Sequence, residues 1–315
     1  VFKGLFKKIR RTMVAIRQQT PLRLVPLEEA DFQESFLSTG VPSLDHILKG
    51  GWSQGRIIEI FGTEGSGKTT LAIHAAIEAQ KAGLEVAYID TEHKLNAEYA
   101  TQLGINSKTL LVSRPDSGED ALNLVWQLLK KGTGLIIVDS IATLATQSEL
   151  DMEAGEYAYK QNQMLSEALK RFSTKMGKKS TLMLINQLRE KEGATYGNPE
   201  EPTGGMAVGY AASTRVEVRR YATLKRGQLE YGVRVKATVK KSNTSNPHQA
   251  AEFDLVFGKG VNYWENLFEI AEEAGIITQF KKKWTVGEFT GSKQEALAYL
   301  QSNPGVVTEL EEKLK

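Results

Sequence analysis

Residues 55–71 read GRIIEIFGTEGSGKTTL. A β-branched apolar run ends at Gly62, a glycine-rich turn follows, and a helical pattern begins at Lys68. The turn, GTEGSGKT (62–69), satisfies G-x-x-x-x-G-K-[ST]. In such a turn the glycines let backbone N–H groups point inward around phosphate, and the next helix adds the positive end of its dipole. Gly62, Glu64, Gly65, Ser66, Gly67, Lys68, Thr69 and Thr70 therefore read as a nucleotide cradle. Lys68 reaches the β- and γ-phosphates, and Thr69 offers its hydroxyl to Mg²⁺. The match is specific because it lies between a strand and a helix, where the mechanism needs it.

Three further runs share the character of the first: EVAYID (85–90), GLIIVDS (134–140) and STLMLINQ (180–187). Helical patterns at 68–82, 117–131 and 157–176 separate the four. That alternation is the signature of βαβ units, so the fold class is α/β, with a mostly parallel twisted sheet buried on both faces. At 117–131, Ser117 is placed to cap, Glu119 and Asp120 fall in the first turn, and Leu122, Val125, Leu128 and Leu129 make the stripe.

Ligands of open α/β sheets lie beyond the carboxyl ends of the strands. The third run ends in Asp139 after four apolar residues. An acid there is costly to bury without a partner, and the phosphate-bound Mg²⁺ is that partner. Ser140 is the better cap for the helix that follows. After the second run comes IDTEH (89–93), where Glu92 is placed to polarise an attacking water or is a surface carboxylate; Asp90 reads as structural. The fourth run ends in Asn186-Gln187, neutral amides able to sense a γ-phosphate without adding charge. Gln187 also opens QLREKEGATYGNPEEPTGGM (187–206), a segment with no packing stripe. A compact domain keeps such a segment for function or leaves it disordered.

With 315 residues the chain suffices for one large domain and smaller attachments. Hydrophobic residues at 41% and charged residues at 25% are globular values, which excludes wholesale disorder. A net charge of +2 favours no partner, so charge distribution must decide about nucleic acid. The chain has no Cys, so disulfides and thiolate metal sites are excluded and a reducing cytoplasm is the natural setting. Its four His show no ligand spacing. No apolar run reaches the roughly 18 residues that span a bilayer, so no membrane partner is expected.

VFKGLFKKIRRTMVAIRQQT (1–20) alternates basic and apolar residues without an acid. It reads as a presequence or membrane-surface helix, or as a short helix whose stripe (Phe2, Phe6, Ile9, Met13, Ile16) docks on protein. The shortness of the stripe and its Gln-Gln-Thr-Pro ending favour docking. Residues 18–37, with Pro21 and Pro26, read as linker or an added edge strand. The chain opens on Val1 rather than Met, so a few upstream residues are expected to be missing.

Taken together, GTEGSGKTT, AYIDTEH, LIIVDS, LINQLR, YGNPEEPTGG and the upstream STGVPSLDHILKGG (38–51) resemble the bacterial RecA recombinases and their phage-borne relatives. The likeness runs in order, at nearly family spacing, from about residue 35 to the C-terminus. It implies a RecA-like P-loop ATPase core (36–257), an N-terminal helical arm and linker (1–35) docking on a neighbouring protomer, and a small α+β C-terminal lobe (258–315). It also implies an ATP- and Mg²⁺-dependent enzyme that self-associates into helical filaments on single-stranded DNA. Such a filament pairs its strand with homologous double-stranded DNA and exchanges strands.

Carried over residue by residue, Lys68 and Thr69 are the P-loop pair, Asp139 the second metal-side acid, Glu92 the general base and Gln187 the γ-phosphate sensor. Tyr99, in LNAEYATQLG (95–104), matches a tyrosine that stacks on adenine; a core aromatic on a helix face is the plainer alternative. Asn96 stands where relatives often carry an acid, which leaves the adenine-edge contact open.

Residues 188–205 match the family's second DNA-binding loop. Arg189 supplies charge, and Tyr196 a ring to stack on bases, worth about 1–3 kcal/mol per base. Gly193, Gly197, Gly204 and Gly205, with Asn198, keep the backbone adaptable for holding phosphates. Glu190, Glu192, Glu200 and Glu201 run against a simple electrostatic clamp. LDMEAGEYAYK (150–160) matches the first DNA loop, with Tyr157 and Tyr159 as alternatives for the contact. Lys170 sits where relatives have a DNA-contacting arginine.

RVEVRRYATLKRGQLEYGVRVKATVKK (215–241) alternates with period two around Lys-Arg-Gly, as a hairpin does. Its Arg219, Arg220, Arg234 and Lys236 match the family's secondary site for duplex DNA, against the plainer reading of a solvated face. Lys240 and Lys241 fall where relatives place two lysines that reach the neighbouring subunit's ATP in trans. Relatives space them Lys-x-Lys, whereas this run is Lys-Lys-Ser-Asn; Lys241 is the preferred cation and Asn243 stands in the second place. Lys281, Lys282, Lys283 and Trp284 read as a basic aromatic patch for duplex DNA, or as a solvated turn. Many bacterial members end in a long acidic tail, but this sequence ends at LEEKLK (310–315), implying freer duplex binding or a trimmed chain.

Two other functions compete on the same fold. A ring-forming helicase predicts translocation loops and a primase-binding or processivity domain, and neither is visible in the sequence. A filament scaffold with structural ATP is disfavoured by the intact Lys68, Thr69, Glu92 and Asp139.

Overall fold

Each of the four apolar runs forms a strand, and the connections between them carry the helices. The computed structural model describes residues 34–144, 157–176, 180–190 and 200–314. The 1–20 helix, the linker up to residue 33, most of 150–160, and Gly193, Tyr196, Gly197 and Asn198 lie outside the described residues.

The described chain starts with β1 (Phe36–Leu37), α1 (Pro42–Ile47) and β2 (Trp52–Ser53), with β1 and β2 pairing antiparallel. Next come β3 (Ile57–Gly62), α2 (Lys68–Lys81), β4 (Val86–Asp90), α3 (Ala97–Leu103), β5 (Leu110–Ser113), α4 (Gly118–Lys131) and β6 (Leu135–Asp139). A 3-10 turn (Ile141–Thr143), α5 (Tyr157–Ser173), β7 (Thr181–Glu190), β8 (Glu200–Pro202) and α6 (Gly205–Ala211) lead into a long hairpin. Its arms are β9 (Thr214–Arg226) and β10 (Leu229–Lys241), followed by β11 (Ala250–Val256) and β12 (Gly260–Val261). The chain closes with α7 (Tyr263–Glu273), β13 (Thr278–Phe280), β14 (Lys283–Val286), β15 (Phe289–Gly291), α8 (Lys293–Ser302) and α9 (Pro304–Leu314).

One sheet runs β12-β11-β10-β9-β3-β7-β6-β4-β5, with β8 on β7. It is parallel from β9 through β3 to β5 and antiparallel from β9 to β12. Period two divides its side chains between two cores. Ile58, Ile60, Tyr88, Ile137, Met183, Val216 and Val235 pack with α2 on one face. Ile57, Ile89, Ile136, Val138, Leu182 and Leu184 pack with α4, α5 and α6 on the other. This double burial is why the strands read as continuous apolar runs rather than alternating ones.

Ser117 does cap α4, accepting from the Asp120 N–H. By contrast α1 and β5 have no counterpart among the runs read from the sequence, because each is short and carries little period. β5 is the sheet's end strand, and its Leu111 and Val112 are about half exposed.

The C-terminal residues pack a core of their own, centred on Leu267, Phe268, Ala271, Ile277, Val286 and Leu300. Contacts nevertheless join Ser35–Lys315 into one compact unit. Buried Asn266 is one tie: its Oδ1 accepts from the Ser43 N–H at 2.9 Å, and its Nδ2 donates to the Glu252 carbonyl at 3.0 Å. Trp284 differs from the patch expected of it. Its ring packs on the C-terminal core and its Nε1 donates to Glu272 at 2.8 Å, because indole buries well only when its N–H finds an acceptor. The exposed aromatic beside the lysines is Phe280, 73% exposed, with Lys281 Nζ 5.3 Å from its ring centroid.

Candidate functional site

The cradle forms at the carboxyl end of β3. Gly67 opens α2 at φ 96°, a left-handed conformation, and a Cβ there would come within 2.4 Å of Leu255. Only glycine fits that turn. Lys68 Nζ donates to the carbonyls of Gly62 (3.0 Å) and Thr63 (2.7 Å), so the loop closes on its own cation. Burial pushes the Lys68 ammonium down, against the pull of Asp139, Glu92 and Glu64. Ser66 Oγ is buried without a hydrogen-bond partner, and Gly65 faces open space. An orphaned donor beside an open glycine at the N-terminus of α2 fits a nucleotide phosphate.

Thr69 Oγ1 donates to Asp139 Oδ2 at 2.8 Å, which brings together the two residues expected at the metal. Tyr88 OH, from the neighbouring β4, donates to the same oxygen at 2.6 Å. Burial raises the Asp139 carboxyl, and these two hydrogen bonds and Lys68 offset only part of that. Thr70 Oγ1 and Tyr99 OH lie 3.3 Å apart, so Tyr99 stands beside the cradle while part of its ring packs on the core. Asn96 Oδ1 accepts from the Tyr99 N–H at 3.0 Å and is occupied as the cap of α3.

Glu92 is held from three sides. Its Oε1 accepts from Ser140 Oγ (2.5 Å) and Gln187 Nε2 (2.6 Å), and its Oε2 lies 3.0 Å from Lys94 Nζ. Burial pushes this carboxyl up, but the three donors outweigh it and hold it below the usual glutamate range. Ser140 therefore turns to Glu92 and makes no side-chain cap on the 3-10 turn, contrary to expectation. A carboxylate within reach is the stronger acceptor. Asp90 is structural: it accepts from the N–H groups of Lys94 and Leu95 and from Arg114 Nε, which fixes the loop carrying Glu92.

The loop that opens at Gln187 is closed at its base. Gln187 O accepts from the N–H and Oγ1 of Thr203, and Asn186 Nδ2 donates to Thr203 O at 2.7 Å. Leu188, Arg189 and Glu190 pair with Pro202, Glu201 and Glu200 as a short antiparallel stem. Arg189 Nη2 reaches the Ala142 carbonyl at 3.3 Å. Gly204, at φ 86°, caps α6, and Gly205 begins it, so the helix continues the loop directly. Lys170 lies exposed on α5.

On the hairpin Arg219, Arg234 and Lys236 share one sheet face and acids share it too, whereas Arg220, paired opposite Val235, falls on the other face because successive residues of a strand alternate. Arg219 pairs with Glu217 and Glu200, Arg234 lies near Asp254 (3.7 Å) and Glu269 (3.5 Å), and Lys236 lies 3.6 Å from Glu252. Arg220 donates to Thr223 Oγ1 at 2.6 Å. Lys240 pairs with Glu217 at 2.8 Å, whereas Lys241 Nζ donates to the carbonyls of Gly209 (2.9 Å) and Tyr210 (3.2 Å) at the end of α6. Arg215 Nε donates to the fully buried Glu59, whose other oxygen accepts from Asn186 Nδ2. Tyr88, Lys94, Glu59, Arg215 and Thr203 were missed in the sequence. Glu59 alone left a signal there, as a charge inside an apolar strand.

Comparison with known proteins agrees with this fold. Residues 10–262 match the RecA N-terminal domain family. Protein RecA of Prochlorococcus marinus is 45% identical over 251 residues, covering 79% of this chain and 66% of that protein. Protein RecA of Thermosynechococcus vestitus is 42% identical over 285 residues, covering 89% and 80%. Protein RecA of Arthrospira platensis is 39% identical over 297 residues, covering 91% and 80%. Among solved structures, the RadB recombinase shares the fold at 24% identity and a TM-score of 0.55, over 72% of this chain and 98% of that one. Among the described residues no helix is long and apolar enough to cross a membrane.

Proposed function

The chain belongs to the RecA family, and on that premise we infer that it is an ATP-hydrolysing DNA recombinase. It assembles as a filament on single-stranded DNA and pairs that strand with homologous duplex. The 36–257 segment is its ATPase and DNA-binding core, 258–315 its C-terminal lobe and 1–35 its arm toward a neighbouring protomer, in a cytoplasmic setting. The observation that carries the reading is the hydrogen bond from Gln187 to Glu92. It ties the first residue of the DNA loop to the carboxylate beside the nucleotide cradle.

ATP, with Mg²⁺, supplies the phosphoryl group whose cleavage drives the cycle. The glycine loop and the α2 N-terminus bind its phosphates, Lys68 exchanging two loop carbonyls for phosphate oxygens. Thr69 and Asp139 would hold the Mg²⁺, and Tyr88 orients the Asp139 carboxylate. Tyr99 borders the base-binding side. Glu92 takes the proton of the attacking water, with its orientation fixed by Ser140, Lys94 and Gln187. Gln187 reports γ-phosphate to the loop because its amide cannot serve Glu92 and phosphate in the same pose. Lys241 acts on the neighbour's nucleotide, and the loop, Lys170 and the β9–β10 face receive DNA.

ATP turnover with and without single-stranded DNA, together with electron micrographs in a non-hydrolysable analogue, tests the whole reading. Filaments and DNA-stimulated turnover are expected; rings, or turnover indifferent to DNA, would sink it. The coupling itself is read by Gln187→Ala. This variant is expected to bind ATP normally yet lose the roughly 5–150-fold gain in DNA affinity that allosteric coupling of this kind gives. Fluorescence anisotropy with ADP and with ATPγS measures that gain, and an intact gain refutes the sensor role.

Lys94→Ala removes one of the donors that hold the Glu92 carboxyl down. The base must be deprotonated to act, so its loss of activity on acidification should begin at higher pH. The acid limb of the kcat/KM profile therefore moves up in Lys94→Ala and returns in Lys94→Arg. Superimposable profiles would show that Lys94 does not tune the base.

A further inference from the structure

Glu92 presents its two oxygens unequally. Oε1 accepts from Ser140 Oγ (2.5 Å) and Gln187 Nε2 (2.6 Å), and two short donors leave it little room for another. Oε2 meets Lys94 Nζ at 3.0 Å. A water that gives its proton to Glu92 is therefore received at Oε2, beside the ammonium. The backbone puts Lys94 there. Its N–H donates to Asp90 Oδ1 at 3.0 Å, while Oδ2 accepts from the Leu95 N–H (3.1 Å) and Arg114 Nε (3.0 Å). Asp90 is 2% exposed, so the loop stands on a buried carboxylate. His93, between the base and the lysine, takes φ 55°, a left-handed turn that a residue with a Cβ adopts when its surroundings impose it.

The field at Lys94 is that of the cradle. Glu92, by hydrogen bond and charge, raises the Lys94 ammonium, and Glu64 and Asp139 add to it. The same three acids pull on Lys68 against its burial, so both lysines border one set of carboxylates. The Lys94 side chain is 69% exposed, and its remaining N–H groups can serve another acceptor. A lysine that did nothing but hold the base charged would also weaken it as a base. We propose that Lys94 is a catalytic residue acting in cis, its ammonium meeting the γ-phosphoryl oxygens of ATP as the bond to ADP breaks. The water oxygen bonds to the γ-phosphorus and its proton passes to Glu92 Oε2. The electron pair of the broken bond leaves on the β-phosphate oxygen. Lys94 transfers no proton; it donates hydrogen bonds to the oxygens over which the transition-state charge is spread. Lys68 serves the phosphates from the cradle and Lys94 from the side of the water. This role deepens, and rests on, that of Glu92 as general base.

The test measures turnover of the full chain on oligo(dT) across pH for the wild type, Lys94→Ala and Lys94→Arg. On the plateau above the acid limb, where Glu92 is ionised in each, Lys94→Ala should lower kcat by about 10²–10³-fold, and Lys94→Arg should restore most of it. Affinity for ADP with aluminium fluoride, which mimics the γ-phosphoryl group in transit, should fall by a like factor, while affinity for ATPγS stays within a few-fold. Mixed filaments of Lys94→Ala and Glu92→Gln should turn over no faster than the sum of their parts, since both defects lie in one site. A plateau within a few-fold of wild type, with the acid limb alone moved, reduces Lys94 to tuning the base and overturns the catalytic role. Equal loss of affinity for both nucleotides marks a structural role and overturns it too. So does a gain in the mixed filaments, which would place Lys94 in trans. If Glu92→Gln by itself turns over like the wild type, the reading of the base fails first, and the role of Lys94 falls with it.

Discussion

Glu92→Gln is expected to leave ATP binding intact and to lower DNA-stimulated turnover by about 10²–10⁴-fold, the usual worth of a positioned general base. The amide keeps the size of the carboxylate, and its oxygen still accepts from Ser140 Oγ and Gln187 Nε2, the two donors now on Oε1. What it loses is basicity and the ion pair with Lys94. Phosphate release in the presence of single-stranded DNA measures the first effect, and a fluorescent ATP analogue measures binding. Turnover within a few-fold of wild type would remove Glu92 from the chemistry. Loss of binding as well as turnover would make its role structural.

Lys241→Ala is expected to lower DNA-stimulated turnover by about 10²–10³-fold, as removal of one charge-stabilising donor does, while Lys240→Ala stays within a few-fold. The difference follows from what each lysine holds. Lys240 is committed to Glu217, a carboxylate inside its own protomer. Lys241 rests on two neutral carbonyls at the end of α6, and burial already presses its ammonium toward the neutral form, aided by Arg215 and opposed by Glu59. Leaving that perch for a phosphate restores a charged partner. Because α6 continues the DNA loop, a shift of the loop also shifts the perch. Action in trans has its own signature. Mixed filaments of Lys241→Ala and Glu92→Gln should turn over faster than either variant alone, since an intact site then faces an intact lysine. Mixtures no better than the sum of their parts would place Lys241 in cis or outside catalysis.

Much of this site is legible in one dimension because its parts are local. The cradle is a run of consecutive residues whose glycines and lysine state their own geometry. Asp139 and Glu92 stand at or just past strand ends, which the apolar runs mark. Hairpin alternation places Arg219, Arg234 and Lys236 on one face without any coordinates. Other features fail locally for definite reasons. Ser140 looks like a cap until a carboxylate from another strand end competes for its hydroxyl. Trp284 looks like a surface aromatic until Glu272, on α7, accepts its N–H and the C-terminal core takes the ring.

By itself, then, the sequence determined the strand–turn–helix cradle, the α/β alternation, the family and the register of side chains along each strand. These depend on spacing within a few residues and on the backbone preferences of glycine. Only the tertiary structure decided partners. Glu92 gains Gln187 and Ser140 because β7, β6 and β4 are adjacent in the sheet. Arg219 gains Glu200 because the loop stem folds back beside β9. Strand order and register follow from how two cores pack against the whole sheet, and no stretch of sequence carries that sum in its own pattern.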